Sequence, residues 1–321
     1  KRELNQNCYT NAGGSSANVG GIGVGGGFTL CAPLSLAQVQ TISPNFIAPF
    51  EQNYRFDKLL PNIGATYSFA EGFSVFGSYA KGFSAPRTDN LYRRAFVDIE
   101  PETTDAFDLG FRYTTGRVQA QATAWTIDYK NRIITTFDPD LGIAIDRNVG
   151  AVSSKGFDGS IAVQPIQPLT LYVSAAYIDA AFDEDVQIGA VGGRPVFAPT
   201  RGKMVAETPE WQFGGRAEVD LGPVLVGVQG KWVDDRYATD VNDVLVKGYT
   251  LVDLDARLSL RTLGLERTYF QLNVINLFDK FYFGNIGTQI SAGTIGGIGG
   301  ANPNFSVGSP RTVLGTINVG F

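Results

Sequence analysis

The sequence predicts an all-β fold, a transmembrane antiparallel β-barrel, on three observations. Stretches of about ten residues alternate apolar and polar side chains with period two. Tight turns built on Gly and Pro alternate with long connections along the chain. No apolar run approaches the roughly 18 residues that a membrane-crossing helix needs, so any crossing would be made by strands. Hydrophobic residues make up 44% of the 321 positions, a globular value that membrane barrels share because half of each strand faces water. The 39 Gly, 22 Phe and 13 Tyr supply a strand-and-turn vocabulary.

Residues 1–60 read as an extracellular loop segment and residues 61–321 as barrel strands with their loops. Cys8 and Cys31 flank a Gly/Ser/Asn-rich stretch. Two thiols are too few for a metal site and too far apart for a redox pair, so a disulfide closing a long exposed loop is expected, with two buried free thiols as the alternative. The run "GGIGVGGG" (20–27) has no strand before it and no helix after it, and reads as flexible loop rather than a nucleotide-binding turn.

Strands begin near Ile63 and Phe73, joined by the turn "FAEGF". "TDAFDLGFRY" places Phe107, Leu109, Phe111 and Tyr113 on one face and Asp108 and Arg112 on the other. Further strands begin near Val118 after "TTGR", near Phe157, and near Leu169 after "QPIQP". "EWQFGGRAEVDL" divides Trp211, Phe213, Ala217, Val219 and Leu221 from Gln212, Arg216, Glu218 and Asp220, and "LGP" leads to a strand near Val224. "YTLVDLDARLSL" sends Val252, Leu254, Ala256, Leu258 and Leu260 one way, and Leu251, Asp253, Asp255, Arg257 and Ser259 the other. "RTYFQLNVIN" separates Phe270, Leu272 and Val274 from Tyr269, Gln271 and Asn273, and "TVLGTINVGF" separates Val313, Ile317, Val319 and Phe321 from Thr312, Thr316 and Asn318. The total is about eleven strands.

The long connections, near 83–103, 131–153, 181–209, 235–248 and 283–310, all fall on one side of such a meander. A soluble sandwich or propeller explains the alternation but not this asymmetry. An outer-membrane barrel explains both, with short periplasmic turns and long external loops. "NVINLFDKFYF" (273–283) crowds Phe278, Phe281, Tyr282 and Phe283 against Asp279 and Lys280, which reads as an aromatic girdle with charges at headgroup level. "GTIGGIGG" (293–300) reads as flexible loop. Bacterial single-chain barrels are normally even-stranded, and an unclosed sheet of about eleven strands leaves two unpaired edges, each unmet backbone group costing several kcal/mol in lipid. The chain therefore reads as the C-terminal half of a larger barrel.

The absence of His removes a Ser-His-Asp triad, a His base and an imidazole metal site, which sets an outer-membrane enzyme aside. A net charge of −5 argues against nucleic acid as partner. Asp183, Glu184, Asp185, Asp234, Asp235, Asp240 and Asp243 could offer oxygen ligands to Ca²⁺, although solvated loop charge is the simpler reading. No cofactor, catalytic residue or resident metal is expected.

Several stretches, taken together in this order, resemble the TonB-dependent outer-membrane receptors. "VFGSYAKGFSAPRTDNLY" is similar to the family's strand that ends in Gly-Phe-x-Ala-Pro, "ETTDAFDLGFRY" to the strand after it, "AWTIDYKNRI" to its Trp-x-x-Asp-Tyr stretch, and "NVINLFDKFYF" to its near-terminal Asn-Leu-x-Asp-Lys-x-Tyr signature. The resemblance implies a barrel of about 22 strands around a plug domain that is not in this chain. It also implies partners: the TonB-ExbB-ExbD energy-coupling complex, reached through the plug; the barrel assembly machinery, which reads a terminal aromatic, here Phe321; outer-membrane lipid and lipopolysaccharide; and a small-molecule ligand. The implied activity is import of a scarce nutrient, a ferric siderophore first by frequency. A carbohydrate or cobalamin importer or a passive porin are the alternatives. Ligand contact is expected on the external loops. The candidates are Arg87, Tyr92, Arg93, Arg94, Phe96, Phe197, Arg201, Arg236, Tyr237, Tyr282 and Phe305, whose rings and guanidinium groups suit stacking and cation–π contact. An ordinary interface girdle is the other reading of these side chains.

Overall fold

The computed structural model describes residues 9–10, 16–17, 21–24, 28–31, 54–86, 99–138 and 143–320. Eleven strands form one antiparallel sheet: β1 (Asn62–Ala70), β2 (Phe73–Ser84), β3 (Glu102–Thr114), β4 (Val118–Lys130), β5 (Val152–Ile166), β6 (Leu169–Phe182), β7 (Trp211–Asp220), β8 (Val224–Val233), β9 (Tyr249–Ser259), β10 (Tyr269–Ile275) and β11 (Thr312–Asn318). Each pairs with its sequence neighbours, so the sheet is a meander with β1 and β11 at its open edges. The strand number matches the sequence expectation.

Short turns at 71–72, 115–117, 167–168 and 221–223 close four of the hairpins, and 260–268, with a 3₁₀ turn at Arg261–Leu263, closes the fifth. Gly72 takes φ 76°, and a Cβ there would overlap the Thr114 carbonyl, so this turn requires glycine. Because neighbouring strands run antiparallel, the connections at 85–101, 131–151, 183–210, 234–248 and 276–311 all emerge at the opposite end. Four of these carry hairpins of their own: Ile133–Asp138 with Ile143–Asn148, Val186–Val191 with Arg194–Ala198, Arg236–Tyr237 with Leu245–Val246, and Phe283–Gly287 with Asn304–Val307.

Register sorts the side chains onto two faces, as period two demands. Leu254 of β9 lies between Val228 and Val274, and Asp255 lies between Gly227 and Asn273. The parity expected for β3, β7, β9, β10 and β11 is the parity observed. Apolar side chains also occur on the polar face, among them Leu314, which pairs with Asn273, and Leu225, which pairs with Arg257. The apolar face has no protein cover: Leu109, Ile63 and Ile317 are each about two-thirds or more exposed. In water such a face would be a liability, and in lipid it is the solvated side.

Aromatic rings bound this face at both ends. Toward the turns, Phe73 packs between Phe69 (5.8 Å) and Tyr113 (4.1 Å). Toward the loops, a continuous chain runs Phe157–Tyr177 (5.9 Å), Tyr177–Trp211 (4.8 Å), Trp211–Phe213 (5.6 Å) and Phe213–Trp232 (5.4 Å) across four strands. Beyond the rings on the same face come the ion pairs Lys155–Asp179 (3.3 Å) and Lys81–Asp105 (3.4 Å). Charge therefore begins where the aromatic belt ends, as an interface requires.

The girdle proposed at 278–283 is only partly one. Phe278 and Phe281 stand exposed, but Tyr282 stacks on Tyr249 (4.6 Å) and Phe283 on Phe305 (4.9 Å) within the loop assembly. Asn276 and Asp279 have a specific reason for being there. Both take left-handed φ, 52° and 51°, which Asn and Asp tolerate better than most residues. The Asn276 side chain donates to the Lys280 and Ser309 carbonyls (2.9 and 3.0 Å) and accepts from the Lys280 amide (2.8 Å), while Asp279 accepts from the Arg311 amide (2.8 Å).

Buried apolar cores sit at the loop end. One gathers Val149, Val152, Ala180, Phe182, Val186 and Val205; a second gathers Ala238, Val246 and Ile286 with Phe283 against them. The connections at 131–151, 183–210, 234–248 and 276–311 thus contribute side chains to packed cores.

Candidate functional site

On the polar face, Arg216 of β7 pairs in register with Gln229 of β8, yet its guanidinium reaches past β8 to Asp255 of β9 through two hydrogen bonds of 2.7 and 3.0 Å. It also holds Glu218 at 2.9 Å. The residue beneath the crossing is Gly227, and a Cβ there would overlap the guanidinium and the Asp255 carboxylate. Gln229 donates to Asp253 (2.8 Å), which also accepts the Asn276 amide (2.7 Å). This face is a self-paired polar surface, suited to contact with water or another polar domain.

The loop end is stitched across long sequence distances. Asp243 accepts from the Thr239 hydroxyl (2.6 Å), the Ser291 hydroxyl (3.2 Å) and the Ala292 amide (3.2 Å). Its burial alone would raise its pKa, but these hydrogen bonds outweigh the burial and hold the group below the ordinary carboxylate value. Asn242 and Met204 exchange two hydrogen bonds of 2.9 Å. Asp240 is 7% exposed. Burial pushes its carboxyl up to about 6, opposed by a backbone N–H from Ala206 and the charge of Arg132.

The segment 293–300 is an ordered turn rather than the flexible loop expected from its composition. Ile295 and Ile298 exchange both backbone hydrogen bonds at 2.9 Å around Gly296 and Gly297, whose φ values of 57° and 89° suit a two-residue hairpin turn. It lies against the 186–198 hairpin, where a Cβ at Gly189 would come within 2.8 Å of Ile298 Cδ1.

A further cluster centres on Arg236. Arg236 is 6% exposed, donates to the Phe283 carbonyl at 3.0 Å, and lies 5.7 Å from the ring centre of Tyr249. Tyr249 stacks on Tyr282, whose ring occupies the space a Cβ at Gly308 would fill. Three sequence candidates, Arg236, Tyr282 and Phe305, are therefore brought together through Tyr249 and Phe283. Tyr237 contributes its carbonyl to the Glu207 amide (2.7 Å). Phe197 is half exposed on the 186–198 hairpin, and Arg201, exposed, gives its amide to Asp185 (2.9 Å). Arg87, Tyr92, Arg93, Arg94, Phe96, Cys8 and Phe321 lie outside the described residues, as does the side chain of Cys31. The acidic loop residues do not converge: Asp183 accepts from Ser153, Glu184 from Ala151, and Asp235 from Lys247 and Gly248. Among the described residues no three potential metal ligands come together.

The family profile described as "TonB dependent receptor-like, beta-barrel" matches residues 37–277, more than half of the chain. The chain belongs to this family. Curated relatives include the ferrioxamine receptor of Yersinia enterocolitica, 27% identical over 225 residues covering 67% of this chain and 29% of that protein. The ferripyoverdine receptor of Pseudomonas aeruginosa is 23% identical over 272 residues, covering 80% and 30%. The chain thus spans about a third or less of the relatives it matches. Among solved structures, the siderophore receptor PiuA of Acinetobacter baumannii superposes with TM-score 0.60 at 19% identity, covering 80% of this chain and 35% of that one. The copper transporter OprC superposes with 0.61 at 17%, covering 80% and 38%.

With the TonB-dependent receptor barrel established, the eleven strands are membrane strands and the exposed apolar face is their lipid face. The sequence reading did not single out Tyr249 or Gly308 as site residues, and it took Phe283 for girdle and Asp240 for solvated loop charge. Tyr249 reads as the first residue of a strand, and its ring contact is with Tyr282, 33 positions away in the sequence.

Proposed function

We propose that the chain is the loop-bearing part of a TonB-dependent receptor in the bacterial outer membrane that imports a ferric siderophore, drawing energy from the inner membrane. The observation that carries this reading is the division of the sheet: an apolar face bounded by two aromatic belts, a self-paired polar face, and every long connection gathered at one end. The names of the relatives support iron as cargo, since ferrioxamine, ferripyoverdine and ferrichrome receptors all match. The copper transporter of the same fold shows that the barrel alone does not select cargo.

In this reading the open edges at β1 and β11 pair with strands from the rest of the receptor, because lipid offers unpaired N–H and C=O groups no partner. The polar face carrying Arg216, Glu218, Asp253 and Asp255 lines the lumen and meets a plug, through which TonB-ExbB-ExbD acts. Residues 1–60 form an external loop closed by a Cys8–Cys31 disulfide, and Phe321 serves the assembly machinery. Lys81 and Lys155, above the aromatic belt, face lipid headgroups and lipopolysaccharide. The external loops hold the ligand. The experiment is growth of a strain lacking the full-length receptor, with and without its restoration, on a panel of iron-bearing chelates, sugars and cobalamin. Restoration of growth on at least one ferric siderophore is expected; restoration on a sugar or cobalamin alone would reassign the cargo.

A further inference from the structure

We propose that Arg236, buried beside the Tyr249 ring, is an oxyanion-binding site that receives a carboxylate or similar anionic oxygen of an incoming small ligand. The inference rests on the receptor reading above and specifies the chemistry of its ligand. Arg236 is nine-tenths buried, yet among the described residues it has no ion-pair partner. Of its three nitrogens, one donates to the Phe283 carbonyl and Nε has no acceptor at all. A buried cation without an anion is costly, and a guanidinium with free donors is a planar fork that matches carboxylate geometry.

The same protein shows what a satisfied arginine looks like. Arg216, more exposed than Arg236, is matched by both Asp255 and Glu218. The acids nearest Arg236 in sequence are engaged elsewhere: Asp235 with Lys247 (2.8 Å) and the Gly248 amide (2.7 Å), and Asp234 with the Asp235 amide (2.8 Å). Glu207, from the neighbouring loop, receives the Ile286 amide (3.4 Å). The Tyr249 ring lies beside the guanidinium and Tyr282 packs on Tyr249, seated where Gly308 lacks a side chain, so an aromatic surface borders the site. The position, in the connection between β8 and β9, lies at the loop end of the sheet.

The test uses the purified full-length receptor in detergent, wild type, Arg236→Gln and Arg236→Lys, each checked for folding by heat-modifiable gel mobility. Binding is followed by tryptophan fluorescence with three probes: ferric citrate, metal-free citrate, and ferrioxamine B, which carries a cationic amine and no free carboxylate. The expected result is saturable binding of a citrate probe that Arg236→Gln weakens about ten- to a hundredfold, the range of a charged hydrogen-bonded contact. Arg236→Lys, which keeps the charge but loses the fork, weakens it by less and serves alone if the Gln variant does not fold. Any binding of ferrioxamine B changes little. Binding of metal-free citrate that depends on Arg236, with no ferric chelate bound, would keep the oxyanion site and remove the iron reading. Binding of ferric chelates at unchanged strength in both variants would overturn the site and leave the iron reading standing, and failure of every citrate probe to bind the wild type would overturn the site as well.

Discussion

Arg216 on β7 and Asp255 on β9 are separated by a whole strand, and their two hydrogen bonds of 2.7 and 3.0 Å pass over Gly227 of β8. The pairing is possible only because the intervening residue has no side chain. Both groups are partly exposed, so the pair contributes modestly, about 1 kcal/mol in a double-mutant cycle of Arg216→Gln and Asp255→Asn. Gly227→Val should cost more than Asp255→Asn, because it displaces the guanidinium and leaves both carboxylates unpaired. Reversible urea unfolding of the receptor in lipid vesicles measures this; a Gly227→Val receptor as stable as wild type would contradict the crossing.

Asn276 supports the second prediction. Its side chain makes three hydrogen bonds and its backbone takes φ 52°, so Asn276→Ala loses the bonds and strains the backbone, at a cost of about 2–4 kcal/mol. Asn276→Gly relieves the backbone strain but not the lost bonds, and should fall between. The amount of folded, heat-modifiable receptor reports the order. Equal loss in Ala and Gly would mean that the φ contributes nothing.

The third prediction concerns pH. The folded pKa of Asp240, about 6, stands above its ordinary value of 3.8 because burial disfavours the charged form. The packed loops therefore bind its proton more tightly than the unpacked loops. Their junction is most stable below the ordinary value and loses stability as pH rises toward 6, by up to about 1.4 kcal/mol per unit over that window, with the penalty fully present above it. Through the backbone, Asp240 joins the 234–248 connection to Gln289 (3.0 Å), so loosening should appear in both loops. Hydrogen exchange of the Asp240 and Val241 amides, corrected for intrinsic rates, should show greater protection at pH 5 than at pH 7.5. Asp240→Asn should abolish the difference; a difference that persists in that variant would assign it to another group.

Much of the sheet was legible because a barrel strand repeats one simple constraint over ten residues: Val252 and Leu254 must avoid the face of Asp253 and Asp255. Where the constraint lapses, the reading lost its footing. The start of β5 was placed at Phe157 rather than Val152, because Ser153 and Lys155 lie on the outer face beyond the aromatic belt, where polar residues are allowed. The loops were less legible because their contacts are non-local. Nothing within 293–300 announces that Ile298 will rest on Gly189, and nothing near Arg236 in sequence shows that its one acceptor is the carbonyl of Phe283. The candidates Arg236, Tyr282 and Phe305 were chosen by residue type; their convergence is a property of the fold.

The account stands most directly on the two faces of β9, and a cysteine scan across residues 251–260 in intact cells measures them. Val252, Leu254, Ala256 and Leu258 pair with Gly230, Val228, Val226 and Val224 on the apolar face, and Leu251, Asp253, Asp255 and Arg257 with Lys231, Gln229, Gly227 and Leu225 on the polar one. A spin label at even positions should report a lipid environment, accessible to oxygen and shielded from a water-soluble relaxant, and at odd positions the reverse. A one-residue slip would place Asp253, Asp255 and Arg257 in hydrocarbon, where an arginine alone costs roughly 2–4 kcal/mol near the midplane. Alternation with even positions in lipid is the predicted result; inverted alternation, or none, would contradict the membrane barrel.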